Sequence, residues 1–203
     1  MKERIRDKAN DLFHRYGVKS ITMDEIAAQL GVSKKTIYLY YEDKNELVEE
    51  VAKSVIHYSQ TCCEFHKTSS KNAVDEIFQA MEFVKEMFSN MNPAMLFDLE
   101  KYHPGSYKTF LEHKNQYLYQ MIRSNLERGV EEGYYRPDIN VEIIAKFRLE
   151  GMLSVFNQDI FPASKFNLGE LHKEIIEHFL FGVASLKGYK LILKYQKQRL
   201  KSK

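Results

Sequence analysis

Three observations predict an all-α fold. The 203 residues hold only 9 Gly and 4 Pro, too few to punctuate a series of short strands. No segment keeps the apolar–polar alternation of a half-buried strand. Apolar residues recur instead at steps of three and four, between residues that start and stop helices.

The first helix is expected over 2–16, with Ile5, Ala9, Leu12, Phe13 and Tyr16 as its buried stripe and Gly17 at its end. Thr22 and Glu25 form a T-x-x-E capping box at the start of a second helix. Ile26, Ala27 and Leu30 share one face of it, and Gly31 closes it where a left-handed residue is tolerated. Val32 plugs the turn, and Ser33 is placed to cap a short third helix from Lys34 to about Tyr41. Two short helices joined by a Gly-containing turn form a helix-turn-helix, the unit that reads DNA in the major groove. Asp43 and Glu46 then make a D-x-x-E box for a fourth helix, expected from Lys44 to about His66.

The third helix carries the residues suited to DNA. Lys34, Lys35 and Thr36 lie in its first turn, which enters the groove in this motif. Lysine neutralises phosphate and donates to guanine edges, while threonine offers a hydroxyl or a methyl to a base. Ile37 and Tyr41 are expected to face the core, leaving Tyr38 and Tyr40 to reach the DNA backbone. Lys44, just beyond, is placed to reach a flanking phosphate.

This stretch resembles the TetR family of bacterial repressors. The resemblance rests on T-x-x-E-I-A, G-V-S-K-x-T-I-Y, the aromatic pair Tyr40–Tyr41 and D-K-N-E-L, and it covers about the first 50 residues. It implies that Thr22 caps the second helix and touches phosphate. It places Ser33, Lys34, Lys35 and Thr36 at or near the groove. Tyr38 stands at the family's nearly fixed tyrosine, and Lys44 at its usual phosphate-contacting lysine. The family often has His-Phe where this chain has Tyr40–Tyr41. The resemblance also implies an N-terminal three-helix DNA-binding domain, here 1–46, and a helical effector-binding and dimerisation domain, here 47–203. Its usual logic is repression of a double-stranded DNA operator, released by a small molecule.

Further helices are expected over 73–91, from Pro93 to about Tyr102, 106–132, from a cap at Asn140 or Asp138 onward, 168–186 and 189–201, with polar or turn residues at 67–72 and 103–105. Methionine is soft and adaptable, and together with aromatic residues it lines pockets that accept varied ligands. Phe88, Met91, Met95, Phe97, Tyr107 and Phe110 supply such side chains, and so do Tyr117, Met121, Phe147, Met152 and Phe156. They are candidates for a mainly apolar effector site. His103, His113, Arg148, Glu150 and Asn157 are candidates to orient its polar end. The helices after Asn140 and after Leu168 are apolar over more than one face. A homodimer explains this, with Val155, Ile175, Phe179 and Val183 at the interface.

Several classes are excluded or disfavoured. The formal charge of +2 means that DNA affinity rests on local placement rather than on a basic surface. No apolar run approaches the ~20 residues of a membrane span, and MKERIRDKANDLF lacks the apolar stretch of a signal peptide, so a cytoplasmic location is expected. No P-loop, G-x-G-x-x-G, H-E-x-x-H or G-x-S-x-G occurs, so neither catalysis nor a cofactor is expected. Cys62 and Cys63 are adjacent and read as reduced thiols in ordinary packing; with His66 they make three metal ligands where structural zinc wants four. A DNA-binding protein without an effector is the alternative reading. It fits a small basic chain better than one with three-quarters of its length outside the DNA-binding segment.

Overall fold

A computed structural model describes residues 1–201. Among them are eleven α-helices: α1 (Lys2–Tyr16), α2 (Met23–Leu30), α3 (Lys34–Tyr38), α4 (Lys44–Ser69), α5 (Ala73–Phe88), α6 (Met95–Tyr102), α7 (Pro104–Glu112), α8 (Tyr119–Glu131), α9 (Val141–Ser154), α10 (Leu168–Val183) and α11 (Leu186–Lys201). A π-helical segment, His113–Leu118, joins α7 to α8. The protein is all-α, and none of the described helices is long and apolar enough to cross a membrane.

The helices form two compact units. One comprises Met1–Ser59 with Asn90–His113; the other comprises Gln60–Ser89 with Lys114–Lys203. These are not the two segments 1–46 and 47–203. The difference has a physical origin in α6. Met95 and Leu99 are buried in the same core as Ile5, Phe13, Ile26, Ile37, Tyr41 and Leu47, with Met91 and Tyr107 packed against it. The buried Asp98 accepts the Lys19 N–H at 2.9 Å, and the Asn92 N–H reaches the His14 carbonyl at 2.7 Å. A segment separated in sequence by residues 60–89 thus completes the N-terminal unit.

The second unit is built on α5, α8, α9, α10 and α11. Its core holds Ile77, Phe78, Leu126, Tyr135, Leu149, Phe179, Leu180 and Ile192. Ala73, at the start of α5, is held by side chains on both sides of its peptide. Its N–H donates to Glu132 at 2.8 Å, and its carbonyl accepts from Asn125 at 3.0 Å and Tyr135 at 3.3 Å. Gly129 lets the fully buried Tyr135 ring lie against α8, because a Cβ there would stand 2.0 Å from a ring carbon. Arg128 binds Glu76 at 3.1 Å and Glu132 at 2.8 Å.

Several helix boundaries differ from those expected. Tyr16, expected in the α1 stripe, is 54% exposed. The turn expected at 103–105 starts α7 instead, with Pro104 at its first position, where the missing N–H has no helical partner to lose. α4 extends through the polar stretch to Ser69, whereas α3 and α5 end three residues early at Tyr38 and Phe88.

Candidate nucleic-acid interface

The helix-turn-helix is set by local chemistry. The Thr22 hydroxyl accepts the Glu25 N–H at 3.2 Å, and the Glu25 carboxylate accepts the Thr22 N–H at 2.6 Å. Both halves of the capping box are therefore present. Gly31 is left-handed with φ 68°, as a helix-ending glycine should be. The Ser33 hydroxyl accepts the Thr36 N–H at 3.1 Å and also lies 2.9 Å from the Thr36 hydroxyl. Ile37 is fully buried, and Tyr41 nearly so, its hydroxyl donating to the Lys2 carbonyl at 3.2 Å. These anchors fix how α3 leaves the surface.

The outward residues are then determined. Thr22, Ser33, Lys34 and Lys35 are exposed and Thr36 is half-exposed. Lys34 forms an ion pair with Asp24 at 2.7 Å, which raises its pKa. Asp24 therefore competes with any phosphate for that lysine, whereas Lys35 has no ion pair among the described residues. Tyr38 and Tyr40 are 45% and 39% exposed, and Leu39 between them is 73% exposed. Leu39 escaped notice in the sequence because an apolar residue beside Ile37 reads as core.

The Lys44 ammonium donates to the Val18 carbonyl at 2.6 Å and stands 5.8 Å from the Phe13 ring centroid, so a contact with phosphate would require it to leave these partners. Burial lowers its pKa, opposed by the charges of Asp98 and Glu25. The helix that begins at Lys44 is capped by Asp43, which accepts the Glu46 N–H at 2.8 Å; Glu46 reaches back to the Glu42 N–H rather than to that of Asp43.

The candidate effector residues divide between the two units. Met91, Met95, Tyr107 and Phe110 lie in the N-terminal unit, and Phe97 is 57% exposed. Phe88, Tyr117, Met121, Met152 and Phe156 lie in the second unit, buried or half-buried. Phe147 is 68% exposed and lines no interior. The Tyr117 hydroxyl is engaged by the Gln60 carbonyl and the Glu64 carboxylate at 3.1 and 3.0 Å. Among the polar candidates, His103 bonds Asn45, Glu150 pairs with Lys114, and Asn157 caps the backbone of Asp159. Arg148 is buried with its Nε and Nη1 unbonded, and so is His172, which the sequence reading passed over. The signal was available, since His172 falls on the stripe of Leu168, Ile176 and Phe179.

Of the residues expected at a dimer interface, Val155, Phe179 and Val183 are buried within the protomer, where α10 packs on α5, α9 and α11. The second apolar face of α10 thus has neighbours in its own chain. Only Ile175 of the four keeps partial exposure. The apolar side chains that α9 leaves open are Ile143 and Phe147, one helical turn apart.

With this geometry in view, the comparisons with known proteins decide the family. Residues 5–51 match the family model described as bacterial regulatory proteins, tetR family. The chain belongs to the TetR family. It is 25% identical over 167 residues to the uncharacterised HTH-type transcriptional regulator YvaF of Bacillus subtilis, covering 82% of this chain and 87% of that one. It is 23% identical over 152 residues to the HTH-type transcriptional repressor KstR2 of Mycobacterium tuberculosis, covering 70% and 73%. The KstR2 structure shares the fold, with a TM-score of 0.65 over 91% of this chain and 95% of that one at 17% identity. A transcriptional regulator from Saccharomonospora viridis in complex with choline gives a TM-score of 0.71 over 91% and 97%, at 14% identity. This TetR-family chain is a DNA-binding transcriptional regulator, and its relatives are regulators rather than enzymes.

Proposed function

We propose that the protein is a repressor that binds a two-fold operator as a homodimer through α3 and leaves it when a small molecule binds the second unit. The observation that carries the DNA reading is the first turn of α3. It is capped by Ser33, anchored by Ile37, and presents Lys35 and Thr36 outward on a rigid base. Lys35 and Thr36 read bases, while Thr22, Ser33, Lys34, Tyr38 and Tyr40 hold the backbone. Two half-sites about one helical turn apart, ~34 Å, suit a two-fold protein.

Support for the dimer is the open apolar pair Ile143 and Phe147 on α9. The half-buried Ile175 of α10 adds to it, its Cγ2 lying 3.9 Å from where a Cβ on Gly151 would stand. Support for an effector is that the S. viridis regulator of the same fold was seen with choline. α4 is one unbroken helix with Leu47, Val48 and Val51 in the first unit and its last turns in the second. Such an element converts a shift in the second unit into a change in half-site spacing. Coupling of ~1–3 kcal/mol loosens the operator about five- to 150-fold, and the operator weakens the effector equally.

The test begins with selection of bound duplexes from random DNA. Lys35→Ala and Thr36→Ala are expected to relax preference at one base pair by ~1–3 kcal/mol. Unchanged affinity and unchanged preference in the Lys34/Lys35/Thr36 triple alanine variant would contradict the reading.

A further inference from the structure

The second unit encloses two donor-bearing side chains that nothing in the fold satisfies. Arg148 on α9 is 9% exposed and His172 on α10 is 1% exposed. The Nε and Nη1 of Arg148 and both ring nitrogens of His172 are buried without a hydrogen-bond partner. Buried polar groups in folded proteins are almost always bonded, and an unpaired buried charge is the costliest exception.

Two other cations of the unit that are not exposed are paired. The buried Lys114 meets Glu150 at 2.8 Å, and Arg128 meets Glu76 and Glu132. Arg148 has no such partner within reach among the described residues. Glu76 is taken by Arg128, and the Tyr135 hydroxyl donates to Asn125 and Ala73. What surrounds Arg148 and His172 is aromatic. The guanidinium lies 4.5 Å from the Phe179 centroid. The His172 ring meets Phe88 edge-on at 5.2 Å, and Phe88 meets Phe156 at 5.2 Å. These rings supply no acceptor atom.

The missing component must therefore accept hydrogen bonds from the guanidinium and from one ring N–H, and a negative charge suits the unpaired buried cation. Arginine offers five donors and no acceptor, and histidine offers at least one donor. We propose that Arg148 and His172 are the head site for a carboxylate whose apolar body lies among Phe88, Phe156 and Phe179. This rests on the effector reading above and gives that effector a chemical class, an apolar carboxylic acid in place of a purely apolar molecule.

The test uses the full chain and two probes of one length, dodecanoate and 1-dodecanol, measured by calorimetry and by release of a selected operator. Wild type is expected to bind the acid at least tenfold more tightly than the alcohol, roughly the loss expected when a charged hydrogen bond is removed. In Arg148→Met the two affinities converge. Without ligand, Arg148→Met is expected to melt higher than wild type, because an unpaired buried charge is gone; a purely structural arginine would melt lower on removal. Equal binding of acid and alcohol by wild type overturns the head site, and if both release DNA the effector reading survives. Binding of neither probe also overturns the head site, and the effector reading is then judged separately by screening neutral and cationic compounds for operator release. A lower melting point in Arg148→Met with the acid preference intact overturns it as well. The wild-type comparison stands even if the variant fails to fold.

Discussion

Replacing Lys44 with Met separates two roles that the family resemblance and the structure assign to one side chain. Methionine keeps the length of the stem, so the change removes the charge and the donor and little volume. What is lost is the 2.6 Å bond to the Val18 carbonyl and the contact with the Phe13 ring. A hydrogen bond with one charged partner contributes ~1.5–3 kcal/mol. Lys44 is only half-buried, and solvent screening favours the lower end, ~1.5 kcal/mol. At ~2–4 °C per kcal/mol for a chain of this size, Tm should fall by about 3–6 °C. Thermal melts followed by circular dichroism read that loss. Fluorescence anisotropy of a labelled operator across a salt series reads the other role. Well below Tm, affinity and salt slope should match wild type. A slope reduced by about one per half-site, with Tm unchanged, would show that the ammonium turns outward to phosphate, and the inward assignment would be wrong.

Three other perturbations follow from the packing. Phe147→Glu should convert a dimer into a folded monomer in sedimentation, whereas Phe179→Glu should unfold the second unit, since Phe179 is 8% exposed and Phe147 68%; a folded monomer from Phe179→Glu would restore the interface expected from the sequence. Gly129→Ala forces a methyl against the Tyr135 ring and should lower stability by ~2 kcal/mol despite its better helix propensity, so a higher Tm would refute the close approach. The pKa of His172 is lowered from 6.5 to about 3, by burial first and then by the charge of Arg148. Between those pH values the unfolded chain binds a proton that the folded chain does not. Stability should therefore fall as pH drops from about 6.5 toward 3, by on the order of 4 kcal/mol at the acid end, and be unaffected above that window. His172→Leu should lack this part of the dependence, and coincident pH–stability curves for the two chains would refute the neutral buried imidazole.

The sequence was most informative where structure is decided within four residues. The Thr22–Glu25 box, the left-handed Gly31, the Ser33 cap and the Asn140 cap, whose side chain accepts the Ile143 N–H, all involve bonds between near neighbours. It was least informative where partners are distant. Nothing local says that Lys44 turns toward Val18, that Asp98 caps the Lys19 N–H, or that α6 completes the N-terminal core. The surplus apolar surface of α10 was visible, but its use was not. A helix with three neighbours in its own chain has the same pattern as one that meets a partner. The π-helical segment at 113–118 has no local signature either, since its residues are ordinary helix formers.

The clasp on Ala73 makes α5 a lever. Three side chains grip the peptide at its first residue, and Asn72 ties the same end to the Tyr195 hydroxyl at 3.0 Å. At the other end Phe88 is held by ring contacts with Phe156 and His172. The helix runs 16 residues from clasp to tip, about 24 Å, so a tilt of ~5° about the clasp carries the tip ~2 Å. The tip is also where the chain crosses from Ser89 to Asn90, out of one unit and into the other. On the effector proposed above, a molecule beside Phe88 would meet the end of α5 farthest from the clasp.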